Sequence, residues 1–129
     1  MTKILEHKHI VINARVNNPP MCTDKMNVWM ANMVEAIGMK ILDGPRSIYS
    51  YDEGNRGLTS IVILNTSHAS IHTWDAVSPA LFRLDIYTCG AMDIDVVFDL
   101  LKEFDPVDWN YFYFDREDEI EIIERGRKQ

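Results

Sequence analysis

Short segments with the composition of β-strands recur along most of this chain, and they constrain its fold more than any other feature. The strongest is 58–64, an apolar run rich in Ile and Val, which is the composition that pleated strands favour. Further strands are predicted at 9–16, 39–42, 46–51, 69–74, 81–88, 108–114 and 118–124. Turn-forming Asn, Asp, Gly and Pro residues separate most of these segments.

Two segments have helical periodicity instead. The first helix is predicted over 23–37, where Thr23 or Asp24 is placed to cap it, and its methionine stripe is interpreted as core. The second is predicted over 93–104, because Pro106 disfavours its continuation. The pattern predicts an α+β fold, a two-layer α/β sandwich with a mostly antiparallel sheet and both helices on one face. A homodimer would cover the other face of the sheet.

The bulk composition narrows the class of protein. The 129 residues fit one domain, 1–129, and 13 basic against 20 acidic residues leave a net charge of −7. That charge disfavours nucleic acid and anionic membranes as partners. No apolar run approaches the roughly 20 residues that span a bilayer, the N-terminal segment is polar, and the two cysteines are far apart, so we expect a cytoplasmic protein without disulfides. No motif predicts a metal site. The basic run 125–128 is interpreted as a solvated end.

Polar side chains with catalytic potential concentrate directly after the strongest strand. Two histidines, two serines and a tryptophan fall within the eight residues 67–74. From spacing alone, a polar strand with one exposed face is the more ordinary interpretation, and a catalytic segment is the alternative.

Two motifs follow one another in this part of the chain: Ser67-His68-x-Ser70-Ile71-His72-Thr73-Trp74, and then Asp85-x-Tyr87-Thr88-Cys89-Gly90. With the preceding strand, they resemble the prokaryotic S-adenosylmethionine decarboxylases. The resemblance implies a proenzyme that cuts itself between Thr66 and Ser67 into a β chain, 1–66, and an α chain, 67–129, which stay associated. Ser67 would become a covalent pyruvoyl group, which forms a Schiff base with the substrate amine and accepts electrons as carbon dioxide leaves. No dissociable cofactor is then needed.

The same resemblance implies roles for individual residues. His72 would carry a proton during self-processing, and Thr59 stands where the family has a serine that supports that step. Cys89 would return a proton to the α-carbon of the substrate. Cys22 has no counterpart in the family pattern and is interpreted as structural.

The chain departs from the family pattern on both sides of these residues. Thr66 replaces the glutamate that ordinarily precedes the cleaved serine, and Trp74-Asp75-Ala76 replaces Trp-Pro-Glu. The family glutamate is expected to hold the ribose of the substrate, so Asp75, with Trp74 beside it, is the nearest candidate for substrate binding. Tyr49 and Tyr51 lie where the family has an adenine-stacking ring, and neither is assigned that role.

Three functions therefore stay open at this point. The leading one is decarboxylation of S-adenosylmethionine for spermidine synthesis, by a homodimer of processed αβ units. The second keeps the pyruvoyl group and changes the substrate to ornithine or arginine, because the segment 75–76 is altered. The third is an unprocessed, non-enzymatic homologue, which Thr66 supports.

Overall fold

The described part of the chain forms one antiparallel sheet of seven strands, and two α-helices pack against one face of it. The computed structural model describes residues 6–128. In chain order, its elements are β1 (Lys8–Val16), α1 (Thr23–Ala36), β2 (Ile41–Ser50), β3 (Gly57–Leu64), β4 (Ser67–Trp74), β5 (Ala80–Thr88), α2 (Ile94–Leu101), a 3₁₀ turn (Lys102–Phe104), β6 (Pro106–Asp115) and β7 (Glu121–Lys128). The strand order is β2-β3-β4-β5-β1-β6-β7, and every neighbouring pair is antiparallel. The predicted α+β sandwich is confirmed.

The core lies between the sheet and the helices. Along β5 every second residue is buried, as expected for a strand with one face on a core. The helices contribute their apolar stripes to the same core: Met26, Trp29, Met30, Met33 and Val34 from α1, and Val97, Phe98 and Leu101 from α2. The methionines of α1 are therefore core residues, as predicted.

The opposite face of the sheet has no helix on it within residues 6–128. We call it the open face. It consists of the odd-numbered side chains of β1, β3 and β5 and the even-numbered side chains of β4 and β6, which are half-buried or exposed. Ile61 and Ile63 on this face are 48% and 49% exposed.

Several predicted boundaries were wrong. The strands expected at 39–42 and 46–51 are one strand, β2, because register shifts on either side of Asp43 absorb the turn-like residues without ending the pairing with β3. The expected caps of α1 are absent, since Cys22 occupies the N-cap position and makes no side-chain capping bond. The regular part of α2 ends at Leu101.

The basic run 125–128 is exposed or half-buried, as expected of a solvated segment, but it is a β-strand and not a free end. It pairs with β6 as part of β7, and the ammonium of Lys128 lies 4.8 Å from the centre of the Phe98 ring. The mixed charges of this segment concealed an edge strand, because edge strands commonly carry charged side chains. No helix within residues 6–128 has the length and apolar character to cross a membrane. The polar residues 1–5 lie outside the described part of the chain.

Candidate active site

The predicted cleavage point lies in the tight turn between β3 and β4. Leu64 pairs with Ser67, so Asn65 and Thr66 alone form the turn. Thr66 has a φ of 52°, in the left-handed region. A β-branched residue rarely adopts this conformation, because its side chain crowds the backbone. The backbone is therefore strained at the residue whose carbonyl precedes Ser67.

Three side chains at this turn donate hydrogen bonds to the carbonyl oxygen of Asn65. It accepts hydrogen bonds from Thr66 Oγ1 and Ser67 Oγ, both at 2.8 Å, and from Cys89 Sγ at 3.1 Å. Ser67 Oγ lies 4.0 Å from Cys89 Sγ. Because β4 begins beside the end of β5, the structure brings together two of the predicted site residues, Ser67 and Cys89, which we call the cleavage pair.

Thr59 and His72 form a second pair. They lie directly opposite one another in β3 and β4, and Thr59 Oγ1 is 3.0 Å from His72 Nδ1. Both side chains are on the open face, and both are half-buried. We call them the histidine pair.

The cleavage pair and the histidine pair do not meet within one chain. Ser67 and His72 are five residues apart on β4, which corresponds to about 16 Å along an extended strand. An odd spacing also directs the two side chains to opposite faces of the sheet. The predicted site is therefore divided into two halves.

Asp75 and Trp74 hold the loop between β2 and β3. The Asp75 side chain is only 2% exposed, and its carboxylate accepts hydrogen bonds from Tyr49 Oη at 2.5 Å and Arg56 Nε at 3.0 Å. Burial and the hydrogen bond to Asp75 raise the pKa of Tyr49. Trp74 Nε1 donates to Asn55 Oδ1. The substrate contact expected of Asp75 stays a prediction, and it would require this carboxylate to exchange partners.

A cluster of charged and aromatic side chains lies on the open face. His9 Nε2 is 2.5 Å from Asp85 Oδ1, Arg116 Nη1 donates to His9 Nδ1 at 2.9 Å, and His68 Nε2 is 3.7 Å from the same Asp85 oxygen. Burial opposes ionisation of Asp85, but the hydrogen bond from His9 and the electrostatic influence of the neighbouring His9, His68 and Arg116 side chains outweigh it and lower the pKa of this carboxyl. Among the described residues, no group of three or more His, Cys, Asp or Glu side chains could hold a metal ion.

The comparison with known families agrees with this arrangement. The sequence model described as S-adenosylmethionine decarboxylase matches residues 8–117, a range that contains both pairs. The chain belongs to the S-adenosylmethionine decarboxylase family. The resemblance read from the two motifs is thereby confirmed.

Individual relatives are similar over shorter stretches. The chain is 40% identical over 62 residues to the S-adenosylmethionine decarboxylase proenzyme of Archaeoglobus fulgidus, covering 46% of this chain and 54% of that protein. It is 42% identical over 73 residues to the proenzyme of the same name from Pyrobaculum arsenaticum, covering 54% and 57%. It is also 39% identical over 70 residues to the arginine decarboxylase proenzyme of Aeropyrum pernix, covering 53% and 52%. The chain thus spans about half the length of the curated relatives it matches.

A solved structure in this family has the same fold. The adenosylmethionine decarboxylase from Aquifex aeolicus superposes with a TM-score of 0.61, at 21% sequence identity, over 95% of this chain and 98% of that one. The likeness confirms the predicted sandwich architecture of this chain.

The sequence alone did not identify several residues of this site. Asn65 could have been identified from the sequence, because it is a turn-forming residue in the short gap between two predicted strands. Tyr49 was named only as an aromatic ring near the expected adenine. Its contact with Asp75, like that of Arg56, had no signal, because it depends on how the loop after β2 folds back. Arg83 lies directly opposite His72 in the pairing of β4 with β5, and only the strand register places it there.

Proposed function

We propose that this chain is the proenzyme of a pyruvoyl-dependent decarboxylase, that it cuts itself between Thr66 and Ser67, and that it acts on S-adenosylmethionine. The observation that carries the proposal is the cleavage pair in a strained two-residue turn, with Ser67 Oγ 4.0 Å from Cys89 Sγ. Family membership supports the same reaction class.

The self-cleavage uses atoms of the turn itself. Ser67 Oγ attacks the carbonyl carbon of Thr66, and the peptide nitrogen leaves, so an amide becomes an ester. Removal of the proton from the α-carbon of Ser67 then expels the Thr66 carboxylate and leaves dehydroalanine. Hydrolysis of dehydroalanine releases ammonia and leaves a pyruvoyl group at the new N-terminus. The strained backbone of Thr66 raises the energy of the uncut chain and so favours the first step.

The residues around Ser67 fit a pyruvoyl group at that position. Once formed, the group supplies an electron-accepting carbonyl beside the substrate. The Cys89 thiol lies next to the same position and is not in a disulfide. Its proton, donated to the Asn65 carbonyl in the uncut chain, would pass to the α-carbon of the substrate after carbon dioxide leaves.

Completion of the site requires a second copy of the chain. Because the histidine pair lies about 16 Å from Ser67 along β4, one copy does not bring His72 to its own cleavage point. We propose a homodimer in which the open face of each copy covers the β3–β4 turn of the other, so that each copy's histidine pair serves the other copy's Ser67. The half-exposed Ile61 and Ile63 on the open face support this.

Denaturing mass spectrometry of freshly expressed protein tests the cleavage. We expect two fragments divided before residue 67, with a ketone-reactive N-terminus on the second. Ser67→Ala should remain a single chain of 15.0 kDa, and the matched control Ser70→Ala, on the same strand, should be cut. We expect Cys89→Ala to be cut but poorly active. A stable, uncut wild-type chain would contradict the proposal, and an uncut Cys89→Ala would reassign the thiol to cleavage.

Mixed dimers test the exchange of the histidine pair. Neither Ser67→Ala nor His72→Ala should be cut when expressed alone. When the two are co-expressed with different tags, the His72→Ala chain should be cut, because its partner supplies His72. If the His72→Ala chain stays whole in the mixture, or is cut when alone, the exchange does not occur.

Arginine or ornithine is the second candidate substrate. The match to the arginine decarboxylase proenzyme of Aeropyrum pernix and the pairing of Asp75 with Tyr49 and Arg56 favour it. Substrates labelled at the carboxyl carbon separate the candidates. Labelled carbon dioxide released only from arginine or ornithine would eliminate S-adenosylmethionine.

A further inference from the structure

The histidine pair is the last residue pair of the β3–β4 ladder. The pairing of these two strands runs from the cleavage turn to Thr59 and His72 and ends there. Beyond that point β3 still pairs with β2 as far as Gly57, and β4 still pairs with β5 as far as Trp74. The β2–β3 hairpin and β4 are thus free of each other's ladder just past the histidine pair, and the ends of such ladders open most readily. The contact between Thr59 and His72 therefore depends on what joins the two sides beyond them.

Five hydrogen bonds join residues 73–75 to the β2–β3 hairpin at this point. We call them the loop clamp. They are Leu58 N–H to Thr73 Oγ1 at 2.9 Å, Trp74 Nε1 to Asn55 Oδ1 at 3.2 Å, Asp75 N–H to the Arg56 carbonyl at 3.1 Å, Arg56 Nε to Asp75 Oδ1 at 3.0 Å, and Tyr49 Oη to Asp75 Oδ2 at 2.5 Å. Three of the five involve Asp75, which makes this residue the centre of the loop clamp.

The Asp75 carboxylate is suited to hold two elements at once. Its side chain is 2% exposed, one oxygen accepts from Arg56 in the loop, and the other accepts from Tyr49 on β2. An ionised carboxylate accepts at both oxygens, whereas an amide of the same shape has one acceptor and one donor group. Asparagine at this position would therefore satisfy only one of the two donors, and it would leave the Arg56 guanidinium without its counter-charge.

The loop clamp lies close enough to the histidine pair to control it. Asp75 follows His72 by three residues, and the ring of Trp74, between them, has its centre 6.4 Å from that of His72. On the other side, Thr59 follows Leu58 directly on β3. The hydrogen bond between Thr59 Oγ1 and His72 Nδ1 is 3.0 Å long, so a separation of the hairpin from β4 by about 1 Å is enough to break it.

We propose that Asp75 is a positioning residue for His72. Through the loop clamp it keeps the β2–β3 hairpin against β4, and so it holds Thr59 Oγ1 within hydrogen-bond distance of His72 Nδ1. Asp75 acts on the site through these contacts and not by binding the substrate. The consequence for self-cleavage rests on the proposed function, whereas the effect of the clamp on His72 does not.

Nuclear magnetic resonance of the uncut Ser67→Ala chain tests the clamp directly. Asp75→Asn should move the imidazole signals of His72, because the ring loses its fixed contact with Thr59. Glu53→Gln is the matched control, since it removes an exposed carboxylate from the same loop, and it should move no histidine signal. The other three histidines lie at the opposite end of the sheet and serve as internal references: His7, His9 and His68.

The rate of self-cleavage measures the functional consequence, and it does so in the absence of substrate. With Ser67 present, Asp75→Asn should be cut roughly 10- to 100-fold more slowly, because a misplacement of about 1 Å can cost a factor of about 100 in rate. Glu53→Gln should be cut at the wild-type rate. Mass spectrometry at timed intervals after synthesis gives these rates.

Arg56→Gln provides a second variant that opens the same clamp. The Arg56 side chain is 49% exposed, so its loss is tolerated in folding better than a change at the buried Asp75. Arg56→Gln should also move the His72 signals and slow self-cleavage. The double variant with Asp75→Asn should be no slower than Asp75→Asn alone, because the two residues act as one unit. Circular dichroism confirms that each variant folds.

Three outcomes overturn the proposal. In the first, the clamp variants leave the His72 signals unchanged. In the second, all four histidines shift alike, which indicates a general disturbance and not a local one. In the third, Asp75→Asn is cut as fast as the wild type, and a raised KM for S-adenosylmethionine would then assign Asp75 to substrate binding. A wild-type chain that is never cut would contradict the proposed function, and the signals of His72 in Ser67→Ala would still decide the role of Asp75.

Discussion

The left-handed conformation of Thr66 makes a quantitative prediction about self-cleavage. Thr66 has a φ of 52° and one side-chain hydrogen bond, to the carbonyl of the preceding Asn65. The left-handed conformation costs an L-residue about 1–2 kcal/mol, and Asn tolerates it better than Thr because its short polar side chain bonds locally. Thr66→Asn should therefore relieve about 1 kcal/mol of strain without changing the direction of the turn.

Relief of this strain should stabilise the uncut chain and should also slow its self-cleavage. In the uncut Ser67→Ala background, Thr66→Asn should raise the free energy of unfolding by about 1 kcal/mol, measured by urea denaturation. With Ser67 present, self-cleavage should slow, because the strain is released as the peptide becomes an ester. A loss of about 1 kcal/mol of strain corresponds to a rate about 5 times lower, measured by mass spectrometry at timed intervals after synthesis.

Thr66→Val is the matched control. It keeps the β-branched side chain and removes only the hydroxyl that bonds to the Asn65 carbonyl. Its cleavage rate should stay nearer that of the wild type than that of Thr66→Asn. If Thr66→Asn stabilises the uncut chain but cleaves as fast as the wild type, the strain does not contribute to cleavage. If it does not stabilise the uncut chain, the strain itself is too small to matter.

Two further predictions concern packing and pH dependence. A Cβ on Gly57 would lie 1.9 Å from the carbonyl oxygen of Thr73, so Gly57→Ala should lower the free energy of unfolding by about 3 kcal/mol or more. Gly54→Ala, with no atom within 4 Å, should lower it by about 1–2 kcal/mol. The hydrogen bond with Glu124, aided by burial, raises the pKa of Tyr111 from 10.0 to about 12. The folded chain then holds this proton more tightly than the unfolded chain, so the contribution to stability is present below pH 10 and is lost as the pH rises towards 12. In Tyr111→Phe, the fall in the free energy of unfolding between pH 10 and 12 that comes from this group should disappear, as measured by urea denaturation across this range.

The position of Ser67 illustrates where local patterns were insufficient. The strand after the cleavage point was predicted to begin at residue 69, because Ser67 and His68 are polar and follow a turn-forming Asn. In the structure, pairing with β3 continues to Ser67. Since side chains alternate along a strand, this extension by two residues places Ser67 and His72 on opposite faces.

The environment of Asp75 was equally beyond the local pattern. Its motif position predicted a carboxylate facing the substrate, and the structure surrounds that carboxylate with Tyr49 and Arg56. These partners are 26 and 19 residues away in sequence. No periodicity of the chain relates residues across such a separation, because loop folding decides it.

The two motifs and the strand and helix periodicities were properties of the sequence alone, and they were enough to identify the family and the sandwich fold. They depend on residues within a few positions of one another, where backbone geometry determines which side chains share a face. Tertiary structure alone decided that β1 lies between β5 and β6, which brings Asn13 beside Arg83 and Asn110. It also decided that the cleavage pair and the histidine pair lie apart. Strand order and register arise from packing of the whole sheet against its helices. That packing depends on contacts between residues far apart in the sequence, which no single segment determines.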